Sequence, residues 1–131
     1  MLAVGEQLWD EVDPQLLRAS SGLAGGLGCG HQELCGALSG GSLIIGVLYG
    51  RTSPQEDDTE SNWLVSDYRD RFLQKFGTTC CEELRDSGYG SEGQWPCSVL
   101  VERATRLLWQ VLAGGTQPVP SKEETSRGSR D

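Results

Sequence analysis

Hydrophobic residues recur at steps of three and four in three long stretches of the chain, and this period predicts amphipathic helices. The first stretch, 31–49, has an apolar stripe of Leu34, Leu38, Gly41, Ile45 and Leu48. The second, 60–75, is marked by Trp63, Leu64, Tyr68, Phe72 and Phe76. The third begins near Pro96 and contains Val99, Leu100, Leu107, Leu108 and Val111. The pattern therefore predicts an all-α fold, a small helical bundle.

Short polar signals predict two further helices and the end of the domain. Asp13 followed by Pro14 is typical of a helix N-terminus, and Gly22 would end that helix. Thr79 and Glu82 have the spacing of a capping box, which predicts a short helix from this point. The last helix is expected to end near 114, so residues 1–114 form one predicted domain. Residues 115–131 are rich in Pro, Ser, Gly and charge, and we predict a disordered tail.

The central helix predicted over 31–49 is rich in small residues. A second stripe at the same spacing consists of Cys35, Ser39, Ser42 and Gly46, which predicts a helix buried nearly all round. Four glycines inside a helix would cost roughly 4 kcal/mol relative to alanines. Close packing by neighbouring helices, or by a second copy in a homo-oligomer, would offset this cost. A β-strand over 42–50 remains the alternative interpretation.

A glycine-rich loop over 22–30 precedes this helix. Five glycines in nine residues, from Gly22 to Gly30, exclude a regular element there and allow positive φ or close backbone approach. No Gly-Lys-Ser/Thr follows the loop, so it does not match a phosphate-binding loop.

Composition and charge narrow the class of protein. The chain has 131 residues, 37% of them hydrophobic, and a formal net charge of −8, which argues against nucleic acid as a partner. The longest apolar run is far shorter than the about 20 residues that a membrane-spanning helix needs. The first residues turn acidic at once, unlike a secretory signal, so we expect a cytoplasmic protein without membrane insertion.

The candidate chemistry lies in five cysteines: Cys29, Cys35, Cys80, Cys81 and Cys97. An odd number of cysteines in a reducing compartment favours reactive or metal-binding thiols over stapling disulfides. Cys80, Cys81 and Cys97 fall at predicted helix starts, where free N–H groups and the helix dipole are expected to favour the thiolate. The candidate metal ligands are Cys29, His31, Cys35, Cys81 and Cys97, although no CxxC pair is present.

The segments ASSGLAGGLGCGHQELCGALSGG, FGTTCCEEL and PCSVLVERA resemble the C_GCAxxG_C_C family of redox-active proteins. The resemblance spans most of the predicted domain and assigns the family cysteines to Cys35, Cys81 and Cys97. Its structural positions are Gly25, Gly26 and Gly28 in the loop and Gly36, Ala37 and Gly40 in the CGAxxG motif. The family's first cysteine would lie just before Met1, so this chain resembles a short member. Cys29 and Cys80 fall where the family needs no cysteine, and either is a candidate replacement.

The resemblance implies a helical fold and a role in thiol–disulfide exchange or electron transfer, with Cys35, Cys81 and Cys97 as the reactive residues. Two alternatives remain open. The thiolates could hold a metal ion or an iron–sulfur cluster, or the protein could be an interaction subunit whose cysteines are merely buried. The sequence does not identify the cofactor, the redox partner or an enzymatic reaction.

Overall fold

The computed structural model describes residues 1–90 and 93–115. Six helices follow one another along this part of the chain: α1 (Leu2–Leu8), α2 (Pro14–Ser21), α3 (Gly36–Tyr49), α4 (Thr59–Phe76), α5 (Cys81–Asp86) and α6 (Cys97–Gly115). Only isolated β-bridges occur among the described residues, so the predicted all-α fold is confirmed. The predicted disordered tail over 115–131 falls outside the described residues, apart from Gly115 itself. The domain boundary at 114 stays a prediction.

Several helix ends follow the local signals in the sequence. The Asp13 side chain accepts a hydrogen bond of 2.8 Å from the backbone N–H of Gln15, and Pro14 is the first residue of α2. This helix ends before Gly22, as predicted. At the end of α4, Gly77 adopts the left-handed conformation with φ 80°, which suits glycine because it has no Cβ.

The core forms where α3, α4 and α6 pack together. The predicted stripes of the second and third stretches provide most of it, since Leu64, Tyr68, Phe72, Leu108 and Val111 are almost fully buried. In α3, Gly41 lies against the ring of Tyr68, and a Cβ at position 41 would stand 2.5 Å from its Cε2 atom. Close packing within the chain therefore accounts for the glycine at 41, whereas a Cβ on Gly46 would have no neighbour within 4 Å.

The central helix is shorter than predicted and less buried. It begins at Gly36 rather than at 31, because the preceding segment pairs in an extended conformation with residues near Cys80. Leu34 consequently lies outside the helix and is exposed, and Val47 and Leu48 are exposed near the other end. The expectation of a helix buried nearly all round is therefore wrong. The β-strand alternative for 42–50 is also wrong, because α3 runs through Tyr49.

The starts of the two later helices also differ from the prediction. Cys80, not Thr79, is the N-cap of α5, and no side chain caps this helix, so the predicted capping box is wrong. The Thr78 hydroxyl instead accepts a hydrogen bond of 3.1 Å from the backbone N–H of Cys80. The last helix begins at Cys97, one residue after Pro96. Helix α1 was not predicted, since its seven residues show too little periodicity.

Each helix among residues 1–90 and 93–115 is too short or too polar to span a lipid bilayer.

Candidate functional site

The glycine-rich loop forms a left-handed turn of the backbone. Five consecutive residues have positive φ angles: Gly25 (61°), Gly26 (72°), Leu27 (73°), Gly28 (59°) and Cys29 (57°). His31 also has a positive φ angle. Backbone hydrogen bonds close the turn, from the N–H of Cys29 to the carbonyl of Ala24 (3.0 Å) and from the N–H of His31 to that of Gly25 (2.9 Å). A left-handed conformation costs a residue with a side chain about 1–2 kcal/mol, so Leu27, Cys29 and His31 hold strained backbone.

The loop lies directly against the starts of two helices. A Cβ on Gly26 would stand 2.6 Å from the Cβ of Cys81, the first residue of α5. A Cβ on Gly36 would stand 3.2 Å from the Cα of Ala24, so the loop also touches the start of α3. The backbone of the loop is therefore in close contact with the first residues of α3 and α5.

A short antiparallel bridge joins the segment before α3 to the segment before α5. Leu34 and Cys80 are the bridged residues. The backbone N–H of Cys35 donates to the carbonyl of Thr79 (2.8 Å), and the N–H of Cys81 donates to that of Glu33 (2.9 Å). Cys35 and Cys81 are thereby diagonal neighbours on the same face of the bridge. This pairing of residues distant in sequence is what brings two of the family cysteines together.

Cys35, Cys81 and Cys97 line one cavity of about 330 Å³. Each stands at the start of a helix: Cys35 is the N-cap of α3, Cys81 the first residue of α5 and Cys97 the first residue of α6. The rest of the wall comes from α1, α2, the glycine-rich loop, α3 and α6, and it is mainly aliphatic. The loop and motif positions that contribute to this lining are Gly25, Gly36, Ala37 and Gly40.

The three thiols differ in their access to solvent. All five cysteines are free, with Cys35 buried, Cys81 half-buried and Cys97 exposed. The interpretation as an interaction subunit assumed that the cysteines are merely buried, and only Cys35 fits that description. A reagent in solution would therefore reach Cys97 first and Cys35 last.

Cys29 and Cys80 lie beside the cavity rather than in its wall. The Sγ atom of Cys80 is 3.6 Å from the carbonyl oxygen of Gln32, and it points toward the extended segment before α3. Cys29 is exposed, and a Cβ on Gly25 would stand 3.1 Å from its Sγ atom. Both thiols are still close enough for their charges to act on Cys81.

Burial dominates the acidity of the two inner thiols. It raises the pKa of Cys35, and the backbone N–H groups of Ala37 and Leu38 offset part of that rise, although neither makes a formed capping hydrogen bond. Burial also raises the pKa of Cys81, followed by the charge of Cys97, while the Arg85 guanidinium acts in the opposite direction. The prediction that its helix start would make Cys81 ionise more readily is therefore wrong. A helix of six residues does not outweigh the loss of hydration.

The geometry provides no metal site in the part of the chain that the structure covers. Among residues 1–90 and 93–115, no three side chains of His, Cys, Asp or Glu are arranged to hold an ion. This includes the candidate ligands Cys29, His31, Cys35, Cys81 and Cys97. We therefore derive no chemical step through a metal or a cluster.

A clamp of aromatic and cationic side chains, which sequence reasoning missed, holds the segment that leads to Cys97. The Nη1 atom of Arg103 donates to the Tyr89 hydroxyl at 2.6 Å, and its guanidinium lies 5.6 Å from the centre of the Trp95 ring. Backbone hydrogen bonds of 2.8 Å also join Gly90 to Trp95 and Trp95 to Gly88. The two aromatic residues within a glycine-rich turn were the available signal. Ser91 and Glu92 of this turn lie outside the described residues.

Fold and site together define a class: a small helical protein in which three helix starts bring cysteine thiols to one cavity. The family model described as "Putative redox-active protein (C_GCAxxG_C_C)" matches residues 1–111, and the chain belongs to this family. The predicted resemblance is thus confirmed. A search of curated proteins found no match, and neither did a search of solved structures.

Proposed function

We propose that the protein carries out thiol–disulfide exchange, with Cys81 and Cys97 as the pair that cycles between dithiol and disulfide. The observation that carries this proposal is that both thiols line the same cavity, one of them exposed and the other half-buried. Among the neighbouring charges that raise the pKa of Cys81, that of Cys97 has the largest effect, which is consistent with a short distance between the two sulfurs.

The accessible thiol starts the reaction. The Cys97 thiolate attacks one sulfur of a substrate disulfide, and the released substrate thiolate takes up a proton. The Cys81 thiolate then attacks the Cys97 sulfur of this mixed disulfide and expels the second substrate thiolate. Two protein thiols are thereby oxidised to one disulfide, and one substrate disulfide is reduced to two thiols.

Cys35 has a different role in this scheme. Its burial and its raised pKa keep it in the neutral thiol form, which is a poor nucleophile. Because Cys35 is buried whereas Cys81 is half-buried and Cys97 exposed, it is expected to remain reduced while the outer pair reacts. We assign it to the cavity wall and to a second, slower step in which its thiolate attacks the Cys81 sulfur of the Cys81–Cys97 disulfide and releases the Cys97 thiolate.

Peptide mapping of the mildly oxidised protein tests the proposal. Tryptic cleavage places Cys80 and Cys81 in peptide 76–85 and Cys97 in peptide 86–103, because Lys75, Arg85 and Arg103 end the respective peptides. The variant Cys29→Ser/Cys80→Ser removes both thiols outside the cavity wall, so each linked peptide then identifies one cysteine. After treatment with a small disulfide and alkylation, we expect a link between these two peptides.

The matched controls are single substitutions in that background. Cys97→Ser should abolish the link, whereas Cys35→Ser should leave it in place. If none of Cys35, Cys81 and Cys97 ever links to another under these conditions, the exchange function is wrong.

A further inference from the structure

The cavity that Cys35, Cys81 and Cys97 line has a mainly aliphatic wall. Its volume of about 330 Å³ lies at the lower end of the range for ligand sites, about 300–1,000 Å³. Aliphatic side chains from four segments form much of its surface, among them Leu17, Leu23, Leu100 and Val101. A cavity of this size suits a compact molecule rather than a peptide.

The wall lacks charged side chains. Among the described residues, 1–90 and 93–115, none that lines the cavity is Asp, Glu, Lys, Arg or His. The Ser20 hydroxyl is occupied by a hydrogen bond of 2.8 Å to the carbonyl oxygen of Leu17. Met1 also lines the cavity, and its partial burial lowers the pKa of its amino group. The thiols are therefore the main polar groups that a substrate would meet.

An anionic substrate would lose hydration in this cavity without gaining a charged side chain of the described residues as a partner, which is costly. The net charge of −8 adds a repulsive field around the whole protein. An uncharged apolar molecule would meet neither penalty, and contact with the aliphatic wall would favour its binding.

On these grounds we propose that the substrate of the thiol pair is a small, uncharged, mainly apolar disulfide rather than an anionic disulfide. This inference rests on the proposed function and names the substrate class of the same site. The reaction balances as before: one apolar disulfide is reduced to two thiols while Cys81 and Cys97 are oxidised to a disulfide. No further oxidant or reductant takes part in this half-reaction.

A pair of chromogenic disulfides of similar size tests the selectivity: uncharged dithiodipyridine and dianionic dithiobis(nitrobenzoate). The full-length Cys29→Ser/Cys80→Ser variant is reacted with each, and each rate is divided by that of the uncharged thiol N-acetylcysteinamide with the same reagent. This division removes the intrinsic reactivity of the reagents. We expect the normalised rate to favour the uncharged reagent by about tenfold or more.

High salt separates the cavity from the overall charge of the protein. Salt screens the field between exposed charges, whereas the missing hydration inside the cavity is unchanged. The preference should therefore persist at high salt. A preference that is absent, or that disappears at high salt, would overturn the inference that the cavity selects the substrate.

Two charge substitutions supply a matched comparison on the protein side. Val101 lines the cavity and is 40% exposed, whereas Val47 is 51% exposed on α3 and lies outside the lining. Val101→Lys should reduce the preference by about threefold or more, because a cation at the wall attracts the dianion. Val47→Lys adds the same charge outside the cavity and should change the preference for the uncharged reagent much less. Equal effects of the two substitutions would contradict the inference that the cavity selects the substrate.

The rate measurement and the peptide link report on different claims. If Cys81 and Cys97 become linked but the two reagents react equally, the exchange function stands and the substrate class is wrong. If the uncharged reagent is favoured but no link forms, the cavity selects as proposed and the exchange function fails.

Discussion

Replacing Gly26 by alanine tests whether the left-handed loop is packed against the thiol site. The new Cβ would stand 2.6 Å from the Cβ of Cys81 and 2.9 Å from the Cα of His31, so the loop or the start of α5 must move. Overpacking of this kind costs about 1–3 kcal/mol. The φ of 72° adds about 1–2 kcal/mol for an L side chain in the left-handed region. We expect the free energy of unfolding to fall by about 2–5 kcal/mol.

Two other glycines of the same segment separate these contributions. Gly28 has a similar φ of 59°, but a Cβ there would have no neighbour within 4 Å, so Gly28→Ala should cost only the conformational part, about 1–2 kcal/mol. Gly22 has a φ of −74° and equally open surroundings. Gly22→Ala should be neutral or more stable by about 0.4–1 kcal/mol.

Urea denaturation followed by tryptophan fluorescence measures all three variants, and the rate of Cys81 alkylation in the folded protein reports on the site. The Gly26 variant should be the least stable and should label faster at Cys81, because the contact that covers this residue is disturbed. If Gly26→Ala is no more destabilising than Gly28→Ala, the loop does not press on Cys81 and this account of the site is wrong.

Three further predictions concern the surroundings of the site. Arg103→Ala should lower the free energy of unfolding by about 1.5–3 kcal/mol, because it removes a charged hydrogen bond to Tyr89. Arg106→Ala breaks only an exposed ion pair with Glu102 and should cost at most about 0.5 kcal/mol. Equal losses of the two variants in urea denaturation would refute the stabilising role of the clamp. Tyr68→Phe removes the hydrogen bond of 3.1 Å to the Ala37 carbonyl and should cost about 1 kcal/mol by the same measurement; an unchanged stability would show that this bond contributes nothing. Because burial raises the pKa of Cys35 in the folded protein, its thiol ionises at lower pH in the unfolded chain than in the folded one. The free energy of unfolding should therefore fall as pH rises above about 8.5. Cys35→Ala should reduce this pH dependence. A slope unchanged by that substitution would contradict the burial of the thiol.

Local signals in the sequence predicted much of the helical framework. The N-cap at Asp13 and the end of α2 before Gly22 each depend on residues within one turn of the helix end. The apolar stripes of α4 and α6 likewise predict which face of each helix is buried, because the period of a helix is a local property of the sequence. These elements could be predicted because nothing distant in the sequence competes with them.

The predictions failed where distant segments meet. Thr79 does not cap α5, because its carbonyl accepts the Cys35 N–H and the chain on both sides is held extended. The same pairing delays the start of α3 to Gly36. No pattern within either segment reveals this contact, since each reads as a plausible helix start by itself.

The resemblance to the family predicted three reactive cysteines, and the structure shows where these residues lie. Cys35, Cys81 and Cys97 line one cavity, whereas Cys29 and Cys80 lie beside it. The aliphatic wall and the clamp formed by Arg103 could not be predicted, because they combine residues from separate helices and from the turn before α6. The reactivity of Cys35, Cys81 and Cys97 remains a prediction.

The acidity of these thiols bears on how such a site would work. Burial raises the pKa of Cys35 and Cys81, so a large thiolate fraction cannot be the source of their reactivity near neutral pH. Proximity can take its place: once Cys97 has formed a mixed disulfide, the second attack is intramolecular, and a well-placed neighbour acts at a very high effective concentration. Burial would also protect Cys81 from oxidation until that moment. On this argument the strained loop and the bridge between the segments before α3 and α5 matter because they fix the position of Cys81, rather than because they activate it.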